Sequence, residues 1–552
     1  MHTRPFTGPP GYAYVQNGVY RGDGVESREG SIVYVDTADG GSAAQRGRLL
    51  VPFRDPRGYR LLFAGRDVGT TFTVQTYMGR NALGEVLSGT TQGIGFPTFA
   101  VLPGQSRVLV ARPGDPLRVI GVDDGGEPYM EDVRAQDRET TSLDVDPDDN
   151  GPYLPAVPRG AIVVAFEDRV MVIDGNRVYV CNVFSDFEGW PAANQRDVDA
   201  DVRAAAPLGD ALYLHHLDAI TRWTGDPANG TAGVDTHFVR GATRGCAAPR
   251  SLVEIDGWQW FLSQSAEVCR FNGAHVDVVT APLWDLLRPQ MPLSFDPIGI
   301  PRVERPSIDD ACAVWFKPWG MYVVFFEGET AGVYDLGIGV DVASGRTSIL
   351  TGIDAQAMAV MVEDDARFLT YDRLGVIHAQ NCGVVDTLTT AEALVDSVWT
   401  RTHTATRVPF IGLPNPRPPS SLNRSAATEV GLLLSHRDAR APTARPVVST
   451  IGLHETRRIE RDGPPQLVME GGSIRHAGYL ADETIEDPND FVIGTTPVAP
   501  DGFVDGHLGL SGARGHNHTF VIRNDVLAEG ETDEALSPDQ VGIVVLDVGR
   551  EP

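Results

Sequence analysis

The stretch Ala161-Ile-Val-Val-Ala-Phe-Glu-Asp-Arg-Val-Met-Val-Ile-Asp-Gly-Asn-Arg-Val-Tyr-Val-Cys181 contains three short apolar runs separated by tight polar turns. Runs of four to eight residues rich in Val, Ile, Tyr and Phe and bounded by Gly, Asn or Asp are typical of β-strands. A two-residue Gly-Asn turn, here Gly175-Asn176, typically joins antiparallel neighbours. The stretch therefore predicts an antiparallel meander.

The same pattern recurs along the chain from about residue 58 onward. Meanders repeated at intervals of about 50–60 residues are typical of radially arranged propeller blades. We therefore predict an all-β fold with a β-propeller of about six blades over residues 56–395. A β-sandwich of consecutive hairpins is the alternative, because without a strict repeat the two look similar in sequence. The clearest further groups are Ala211–His215 with Ala219–Trp223, Ser251–Ile255 with Trp258–Leu262, Glu267–Phe271 with His275–Val279, and the segments 311–350 and 356–390.

The two ends of the chain differ in composition and in strand pattern from the repeated segment. Residues 1–55 are Gly-rich and polar, with one alternating stretch at Ser31–Val35, and we expect an N-terminal arm that docks onto a neighbour or the main body. Residues 396–552 predict a separate β-rich, sandwich-like domain. Helical character is confined to Thr390–Asp396 and a few short pieces. The C-terminal prediction rests on the Pro-rich Pro414–Pro419 and on alternating runs at Val430–Leu434, Val447–Ile451 and Thr519–Ile522.

Composition narrows the classes of function. The chain has 60 glycines and 39 prolines, nearly a fifth of its 552 residues against roughly 12% in average proteins, which indicates many tight turns. With 74 acidic and 46 basic residues it carries a net charge of −28, which disfavours wrapping of nucleic acid by phosphate neutralisation. A channel that repels DNA stays possible. A salt-adapted protein is a further alternative, because the acidic residues are accompanied by a single lysine, Lys317.

The cysteines and the N-terminus indicate a reduced protein without a membrane segment. The five cysteines are spaced singly, so neither a zinc motif nor a disulfide framework is predicted. The N-terminal Met1–Pro5 lacks the apolar core of a signal peptide, and no 18-residue apolar run is present. We expect no cofactor. The cysteines are Cys181, Cys246, Cys269, Cys312 and Cys382.

Several short signatures follow one another in a fixed order between about residues 165 and 285. Each one alone is a turn plus a strand, but their joint order resembles the central part of phage β-propeller proteins that form tail hubs or nozzles below the portal. The resemblance covers about two thirds of the chain and is not seen in residues 1–55 and 420–500. The signatures are Arg177–Asn182, Phe184–Pro191, Asp197–Asp199, Ala204–Leu208 with the turn Gly209-Asp210, Ala219–Asp226, Gly245–Ser251 and Val268–Gly273, with further support from Ser397–Arg401, Gly512–Phe520 and Gly542–Asp547.

This resemblance implies a structural protein of the virion tail, assembled in the host cytoplasm. It implies a homohexameric ring below the portal and adaptor, at the head–tail connection, whose lumen retains packaged double-stranded DNA and conducts it on ejection without sequence-specific binding. Carboxylates facing such a lumen leave only weak, screened repulsion of the phosphates. The alternatives are a carbohydrate-active propeller enzyme and a receptor-binding tail module. A receptor-binding module would typically trimerise and carry a long repetitive stalk, which this sequence lacks.

Four groups of residues have a spacing that suggests a metal site, and for each of them the sequence also gives a reason against one. Asp144, Asp146 and Asp148 have the spacing of a calcium loop, but Asp149 replaces the required Gly and Pro155 the bidentate Glu. We interpret this segment as a solvated acidic loop. Asp197, Asp199 and Asp201 alternate along the sequence, so on a strand they would face one side together, and we interpret them as solvent-exposed. His516 and His518, with His507 upstream, lack an adjoining Cys or carboxylate. The neighbours His215 and His216 point to opposite faces if they lie in a strand, which argues against a joint site.

No residue is nominated as catalytic, metal-binding or cofactor-binding, and we predict that the protein is not an enzyme. A propeller glycosidase would place two carboxylates at the central funnel, but no pair stands out among so many. No nucleophile elbow, Walker A loop or zincin motif stands out either. Asn229-Gly-Thr231 matches a glycosylation sequon but is interpreted as a turn. Core or blade-interface packing is predicted, rather than sugar stacking, for Trp190, Trp223, Trp258, Trp260 and Trp399.

Overall fold

The chain forms strands almost throughout the part that the structure describes. The two short 3-10 turns there are Pro249–Ser251 and Lys317–Trp319, and no α-helix occurs in that part. The computed structural model describes residues 12–21, 24–36, 45–55, 57–91, 93, 95–102, 107–134, 154, 156–182, 189–225, 234–283, 308–328, 332–362, 366–382, 385–388, 391–394, 398–404, 425–436, 445–453, 467–470, 474–475, 503–515, 517–525 and 538–549.

Six antiparallel four-stranded sheets and four antiparallel strands of a ten-stranded sheet form the seven blades of a β-propeller. The N-terminal region supplies β1 (Tyr12–Gln16), β2 (Gly18–Arg21), β3 (Gly24–Ser27) and β4 (Ile32–Asp36). Blade one has β5 (Gln45–Arg54), β6 (Arg60–Val68), β7 (Thr71–Met78) and β8 (Asn81–Thr90). Blade two has β9 (Thr98–Leu102), β10 (Arg107–Ala111), β11 (Arg118–Val122) and β12 (Pro128–Asp132). Blade three has β13 (Ile162–Phe166), β14 (Arg169–Asp174), β15 (Arg177–Val180) and β16 (Gln195–Asp197).

The remaining blades continue in chain order until the last. Blade four has β17 (Ala204–Leu208), β18 (Ala211–His215), β19 (Ile220–Thr224) and β20 (Asp235–Phe238). Blade five has β21 (Val253–Ile255), β22 (Trp258–Leu262), β23 (Val268–Phe271) and β24 (Val276–Val278). Blade six has β25 (Cys312–Phe316), β26 (Met321–Phe326), β27 (Leu336–Asp341) and β28 (Thr347–Leu350). Blade seven has β29 (Ala357–Val362), β30 (Ala366–Tyr371), β31 (Val376–Ala379) and, as its fourth strand, β4.

Tight turns of the predicted kind join the strands within the blades. Between β21 and β22 the loop is Asp256-Gly257, and both residues have positive φ, 49° and 77°. Two left-handed residues in a two-residue loop match the twist of antiparallel strands. The Asp-Gly pair therefore determines this hairpin locally.

Apolar side chains fill the space between each pair of neighbouring blades. Adjacent residues on one strand point to opposite neighbours, so both faces of a blade are buried and its strands appear in sequence as continuous apolar runs. Two ring contacts cross the interfaces, Trp260 with Tyr322 between blades five and six and Phe316 with Phe368 between six and seven. At each of the other interfaces one cluster contains residues of both blades: Phe63 and Val108 for blades one and two, Leu109 and Val172 for two and three, Ile173 and Leu212 for three and four, Tyr213 and Phe261 for four and five, and Leu369 and Leu62 for seven and one.

The ring is closed by the N-terminal strand β4, which pairs antiparallel with β31. Val35 pairs with Ile377, and Ile32 with Ala379. Tyr34 is buried between blades seven and one, and the guanidinium groups of Arg80 and Arg367 lie 5.5 and 5.6 Å from its ring centroid. The last blade is therefore completed by residues some 340 positions away along the chain.

A buried arginine fastens the segment that leads to β4. Arg28 donates from Nε to Oδ1 of Asn17 (3.0 Å) and from Nη2 to the carbonyl of Thr351 (2.8 Å). Asn17 in turn donates from Nδ2 to Oγ1 of Thr351 (2.8 Å). These bonds hold the N-terminal segment against blade six.

The prediction of a propeller is confirmed, but the expected number of about six blades is wrong, because there are seven. The difference has a structural cause. The expected propeller segment, 56–395, contains only three strands of blade seven and three of blade one. The missing strands, β4 and β5, lie within the segment 1–55 that was expected to be an arm.

Strands beyond residue 384 belong to two sheets and one hairpin. One sheet extends blade six, in the order β25-β26-β27-β28-β1-β34-β40-β36-β37, with β38 also paired to β36. The second has the order β39-β35-β41, and β32 and β33 form the hairpin. The expected helical character at 390–396 is wrong for β33, which is a strand. These strands are β32 (Val385–Leu388), β33 (Ala391–Leu394), β34 (Val398–Thr404), β35 (Ser425–His436), β36 (Arg445–Leu453), β37 (Leu467–Glu470), β38 (Ile474–Arg475), β39 (Phe503–Gly515), β40 (Asn517–Asp525) and β41 (Pro538–Gly549).

Candidate functional site: the propeller channel

The first strand of every blade lies at one end of its sheet and lines a central channel. The channel encloses a cavity of about 530 Å³, which falls in the range of about 300–1,000 Å³ that is usual for ligand pockets. Residues from all seven first strands contribute. They include Leu50 and Pro52, Thr98 and Phe99, Val163, Ala205 and Ala206, Val253 and Glu254, Ala313 and Val314, and Met358 and Val360.

The channel wall consists mainly of small and apolar side chains. On β9, Phe99 and Val101 point the same way and are each 43% exposed, although they lie on an innermost strand. On β29, Met358 and Val360 are partly exposed and Val362 is 60% exposed. Of these residues, Phe99, Met358 and Val360 line the cavity, and we call these three the apolar stripe formed by β9 and β29.

Four residues from different blades meet across one end of the channel. The Arg250 guanidinium lies 3.5 Å from the Phe96 ring centroid, and the Arg48 guanidinium lies 4.5 Å from it. Tyr334 contacts the same ring edge to face at 5.3 Å. We call Arg48, Phe96, Arg250 and Tyr334 the cross-channel cluster.

The blade order shows that this cluster spans the channel. Phe96 precedes the first strand of blade two and Arg250 that of blade five, and two or three other blades separate these in either direction around the ring. Tyr334 lies between the second and third strands of blade six. In an antiparallel meander, these positions are all at the same end of the sheet. Their contact therefore brings loops from opposite sides of the ring together over one end of the channel.

Arg250 is held by backbone carbonyls rather than by a carboxylate. Its Nη1 donates to the carbonyl of Gln356 at 2.6 Å, and its Nη2 donates to the carbonyl of Asp310. In the part of the chain that the structure describes, Arg250 forms no ion pair with a carboxylate. A partly buried guanidinium without a counter-charge is a ready partner for an anionic group.

Arg48 belongs to a buried ion network next to the cluster. Asp67 accepts two hydrogen bonds from Arg112, at 2.8 and 2.9 Å, and one from Nε of Arg48 at 2.7 Å. Asp115 accepts from Oγ1 of Thr91 at 2.6 Å. One carboxylate, Asp67, is thus shared by two guanidinium groups and orients Arg48 at the channel end.

Burial raises the pKa of two titratable groups at or near the cluster. Burial is the main cause that raises the pKa of Asp354 to about 6, and the nearby Asp372 adds to it. Asp354 accepts the backbone N–H groups of Tyr334 (3.2 Å) and Arg373 (3.3 Å). Burial likewise raises the pKa of Tyr334 above its usual value, so its phenol stays protonated at neutral pH.

Asp354 makes stability depend on pH in a direction opposite to that of an ordinary carboxyl. Its pKa is about 6 in the folded chain, against 3.8 ordinarily, so the folded state binds the extra proton between these values. Below pH 3.8, binding of this proton stabilises the folded state by on the order of 3 kcal/mol, and this stabilisation is lost as the pH rises through 6. We expect the Asp354→Asn variant to gain stability relative to wild type between pH 4 and pH 7, as measured by urea unfolding at several pH values. A difference that does not change with pH would contradict this.

The adjacent residues His215 and His216 have different surroundings, as expected for side chains that point to opposite faces. His215 is buried, lies 2.8 Å through Nε2 from Oε1 of Gln259, and packs against Phe261. His216 lies 2.8 Å through Nε2 from Oγ1 of Thr221. Burial is the main cause that lowers the pKa of His215 to about 4.

His215 makes the fold sensitive to acid. Between pH 6.5 and 4 the unfolded chain takes up a proton that the folded chain refuses, so the free energy of unfolding falls as the pH falls, by on the order of 3 kcal/mol at pH 4. The His215→Gln variant should lose this slope. We expect its stability deficit at pH 7 to shrink towards pH 4.5 in urea titrations. An equal deficit at both pH values would show that His215 protonates normally in the folded state.

The residues singled out for metal binding are not brought together by the described structure. Asp197, Asp199 and Asp201 are exposed, and Asp197 pairs with Arg177. His507 and His518 lie in strands of different sheets. In the described ranges, no group of three His, Cys, Asp or Glu side chains could hold a metal. Asp144–Gly151, Asn229–Thr231 and His516 lie outside the described residues.

Three of the five tryptophans lie in the clusters between blades and a fourth, Trp258, packs against the cluster of blades five and six, as the packing interpretation predicts. Trp190, Trp223 and Trp260 are buried in different interfaces. Trp258 is partly exposed, with the Arg270 guanidinium 4.6 Å from its ring centroid. Of Trp399 the structure describes only the strand pairing.

The cysteines are free thiols and are mostly buried. None of the five forms a disulfide, and only Cys382 is partly exposed. Burial raises the pKa of Cys246 and of Cys269 to about 12. Thiols with so high a pKa are unreactive as nucleophiles at neutral pH.

Sequence reasoning missed the cross-channel cluster, because its members follow no motif. Phe96 and Arg250 stand in different inter-blade loops 154 positions apart. The only sequence signal is positional, since both residues directly precede the first strand of a blade. That signal becomes visible only once the blade boundaries are known.

Comparison with known proteins identifies no family. No protein-family model matches the chain, and no curated protein matches it. Among solved structures, 382 chains match. One is the crystal structure of Saccharomyces cerevisiae Sqt1, with a TM-score of 0.35 and 11% identity, covering 64% of this chain and 99% of that chain. Another is the AfRom2 CNH domain, with a TM-score of 0.33 and 11% identity, covering 63% of this chain and 98% of that chain. Such similarities carry no argument about function.

The described part of the chain contains no helix with the length and apolar character needed to cross a membrane.

Proposed function

We propose that the chain is a non-enzymatic structural subunit of a phage tail, part of a homohexameric hub or nozzle ring that binds the portal and adaptor. The ring would retain packaged DNA and conduct it on ejection. The observation that carries the proposal is the continuous sheet that runs from blade six through β1 into β34, β40 and β36. Backbone hydrogen bonds across these strands couple the propeller to the C-terminal strands. At the junction of β28 and β1 the pairing is one parallel pair, Gln16 with Ile349. Through it, the sheet would pass to the propeller the load that pressurised DNA places on the C-terminal strands.

The size of the channel restricts where DNA would pass. A cavity of about 530 Å³ has the size of a small-ligand pocket, whereas the major groove of DNA alone is about 12 Å wide. DNA would therefore pass through a lumen formed between subunits. Each propeller would form part of the wall of that lumen. This agrees with the dense apolar packing between all seven blades.

The negative surface charge suits a lumen wall that does not bind DNA. The chain carries −28, and Asp197, Asp199, Asp201 and Asp210 are exposed on blades three and four. Exposed carboxylates repel phosphates weakly at physiological salt, because screening limits the interaction to about 8 Å. A DNA molecule could slide past such a wall without being trapped.

The channel wall offers little support for the alternative of a glycosidase. Retaining and inverting glycosidases need two carboxylates about 5–10 Å apart around the scissile bond. Among the described residues that line the channel, one carboxylate is present, Glu254. Apolar and small side chains make up most of the rest.

The proposal is tested by the mass and symmetry of the full-length protein, measured by light scattering and negative-stain imaging, alone and mixed with the portal and adaptor of the same virion. A sixfold ring, formed alone or on the portal complex, is the expected result. A stable monomer that does not bind the portal would contradict the proposal. A trimer would favour a receptor-binding module instead, and glycan cleavage by the monomer would favour an enzyme.

A further inference from the structure

The channel exposes unpaired backbone edges along its length. The first strands of the blades, β5, β9, β13, β17, β21, β25 and β29, each pair with one neighbouring strand only. Their other edges face the channel and have no neighbouring strand. On β13, Thr98 already accepts from the Val163 N–H (3.1 Å) and donates to the Ala161 carbonyl (2.9 Å), so a peptide would pair with the other first strands. Such edges are templates for the pairing of an extended peptide.

The side chains on one side of the channel add an apolar surface. Pro52 of blade one, Phe99 on β9, and Met358 and Val360 on β29 all line the cavity, and each of these side chains is partly or largely exposed. Exposed apolar side chains on an innermost strand favour an apolar occupant, because burying them removes their surface from water.

The cross-channel cluster adds positive charge at one end. The Arg48 and Arg250 guanidinium carbons are no more than 8 Å apart, because they lie 4.5 and 3.5 Å from the same Phe96 ring centroid. Both residues line the cavity. Arg250 has backbone carbonyls, but no carboxylate of the described residues, as partners. The end of the channel is therefore complementary to an anionic group.

We propose that the channel binds an extended peptide that ends in a carboxylate. The carboxylate binds at Arg250 and Arg48, and the apolar side chains of the peptide lie along the stripe formed by β9 and β29. The peptide enters from the end opposite the cross-channel cluster. A fatty acid would match the charge and the apolar stripe, but it would leave the backbone groups of the strand edges unpaired, which favours a peptide. The site lies within one subunit, so the proposal does not depend on ring assembly.

The test uses fluorescence anisotropy with the full-length protein and a fluorescein-labelled peptide, Ser-Val-Ala-Val, in two forms, with a free α-carboxylate and with a C-terminal amide. We expect the free acid to bind once per chain and at least tenfold more tightly than the amide. Higher salt should weaken the binding of the acid more than that of the amide.

Two variants locate the site and one serves as a control. In Arg250→Gln, most of the preference for the acid should be lost, because Arg48 is then the only guanidinium of the pair that remains, and Arg250→Lys should restore part of this preference. Val360→Asp leaves the cluster intact and adds a negative charge to the wall, so it should weaken binding of the acid at least tenfold. The matched control is Arg177→Gln, at an exposed arginine on β15, which should bind like wild type. Thermal unfolding confirms that each variant is folded.

Four outcomes would overturn the proposal. The first is equal binding of acid and amide by the wild type, and the second is a preserved preference in Arg250→Gln. The third is no binding at millimolar peptide. The fourth is tighter binding of decanoate than of the peptide, with displacement of the peptide, which would show that the channel takes acyl carboxylates instead. None of these results bears on the ring symmetry, so failure here is distinguishable from failure of the proposed tail function.

Discussion

Replacing Asp67 by alanine is expected to lower the free energy of unfolding by about 3–5 kcal/mol, because it leaves the buried Arg112 without its carboxylate partner. Arg112 is 4% exposed at its side chain, and both of its terminal nitrogens bond to Asp67. The same substitution also removes the carboxylate partner of Arg48. Urea unfolding followed by tryptophan fluorescence measures the change.

The matched control for this prediction is Asp197→Ala. Asp197 forms a similar two-bond pair with Arg177, at 2.6 and 3.0 Å, but both side chains are about half exposed. Water replaces the lost partner there, and we expect no measurable change in the urea midpoint. If the two substitutions had equal effects, burial would not be what gives the Asp67 pair its importance.

The second large effect concerns closure of the ring by the N-terminal strand. Tyr34 on β4 is 3% exposed, packs between blades seven and one, and lies near two guanidinium groups. Tyr34→Ala should therefore cost about 3–5 kcal/mol, the usual range for deleting a large buried aromatic side chain. Because β4 completes blade seven, hydrogen exchange should show the greatest loss of protection in β31.

Tyr59→Ala provides the control for this prediction. Tyr59 also lies beside an arginine, with the Arg57 guanidinium 5.2 Å from its ring centroid, but it is 53% exposed in the turn between β5 and β6. A surface substitution of this kind should change stability by no more than about 0.5 kcal/mol. Loss of protection spread evenly over all blades in Tyr34→Ala would indicate that the propeller unfolds as one unit, and it would contradict a weak point at the closure.

Asp67 and Tyr34 support different parts of the propeller channel. Asp67 fixes Arg48 at the end of the channel, and β4 fixes the edge of blade seven, whose first strand carries Met358 and Val360. Either substitution should therefore also weaken the proposed peptide site in molecules that stay folded. The anisotropy assay with the free-acid peptide measures this directly.

The blades themselves could be predicted from the sequence because the signals that determine them are local. In Ala161–Cys181, apolar runs and the Gly175-Asn176 turn specify three strands and their order without any distant contact. The same holds at Asp256-Gly257, where the turn residues favour the left-handed backbone that the hairpin requires. The all-β class and the propeller followed from these signals.

Tertiary structure alone decided the number of blades, their closure and the candidate site. Strand β4 has the same alternation as any edge strand, and its partner β31 is some 340 residues away, so pairing energy rather than local preference places it. Phe96, Arg250 and Tyr334 come from loops of blades two, five and six, and nothing in their own segments indicates that they meet. A contact across the channel depends on the circular arrangement of all seven blades. That arrangement is set by the apolar packing between the blades, to which every blade contributes and which no single segment encodes.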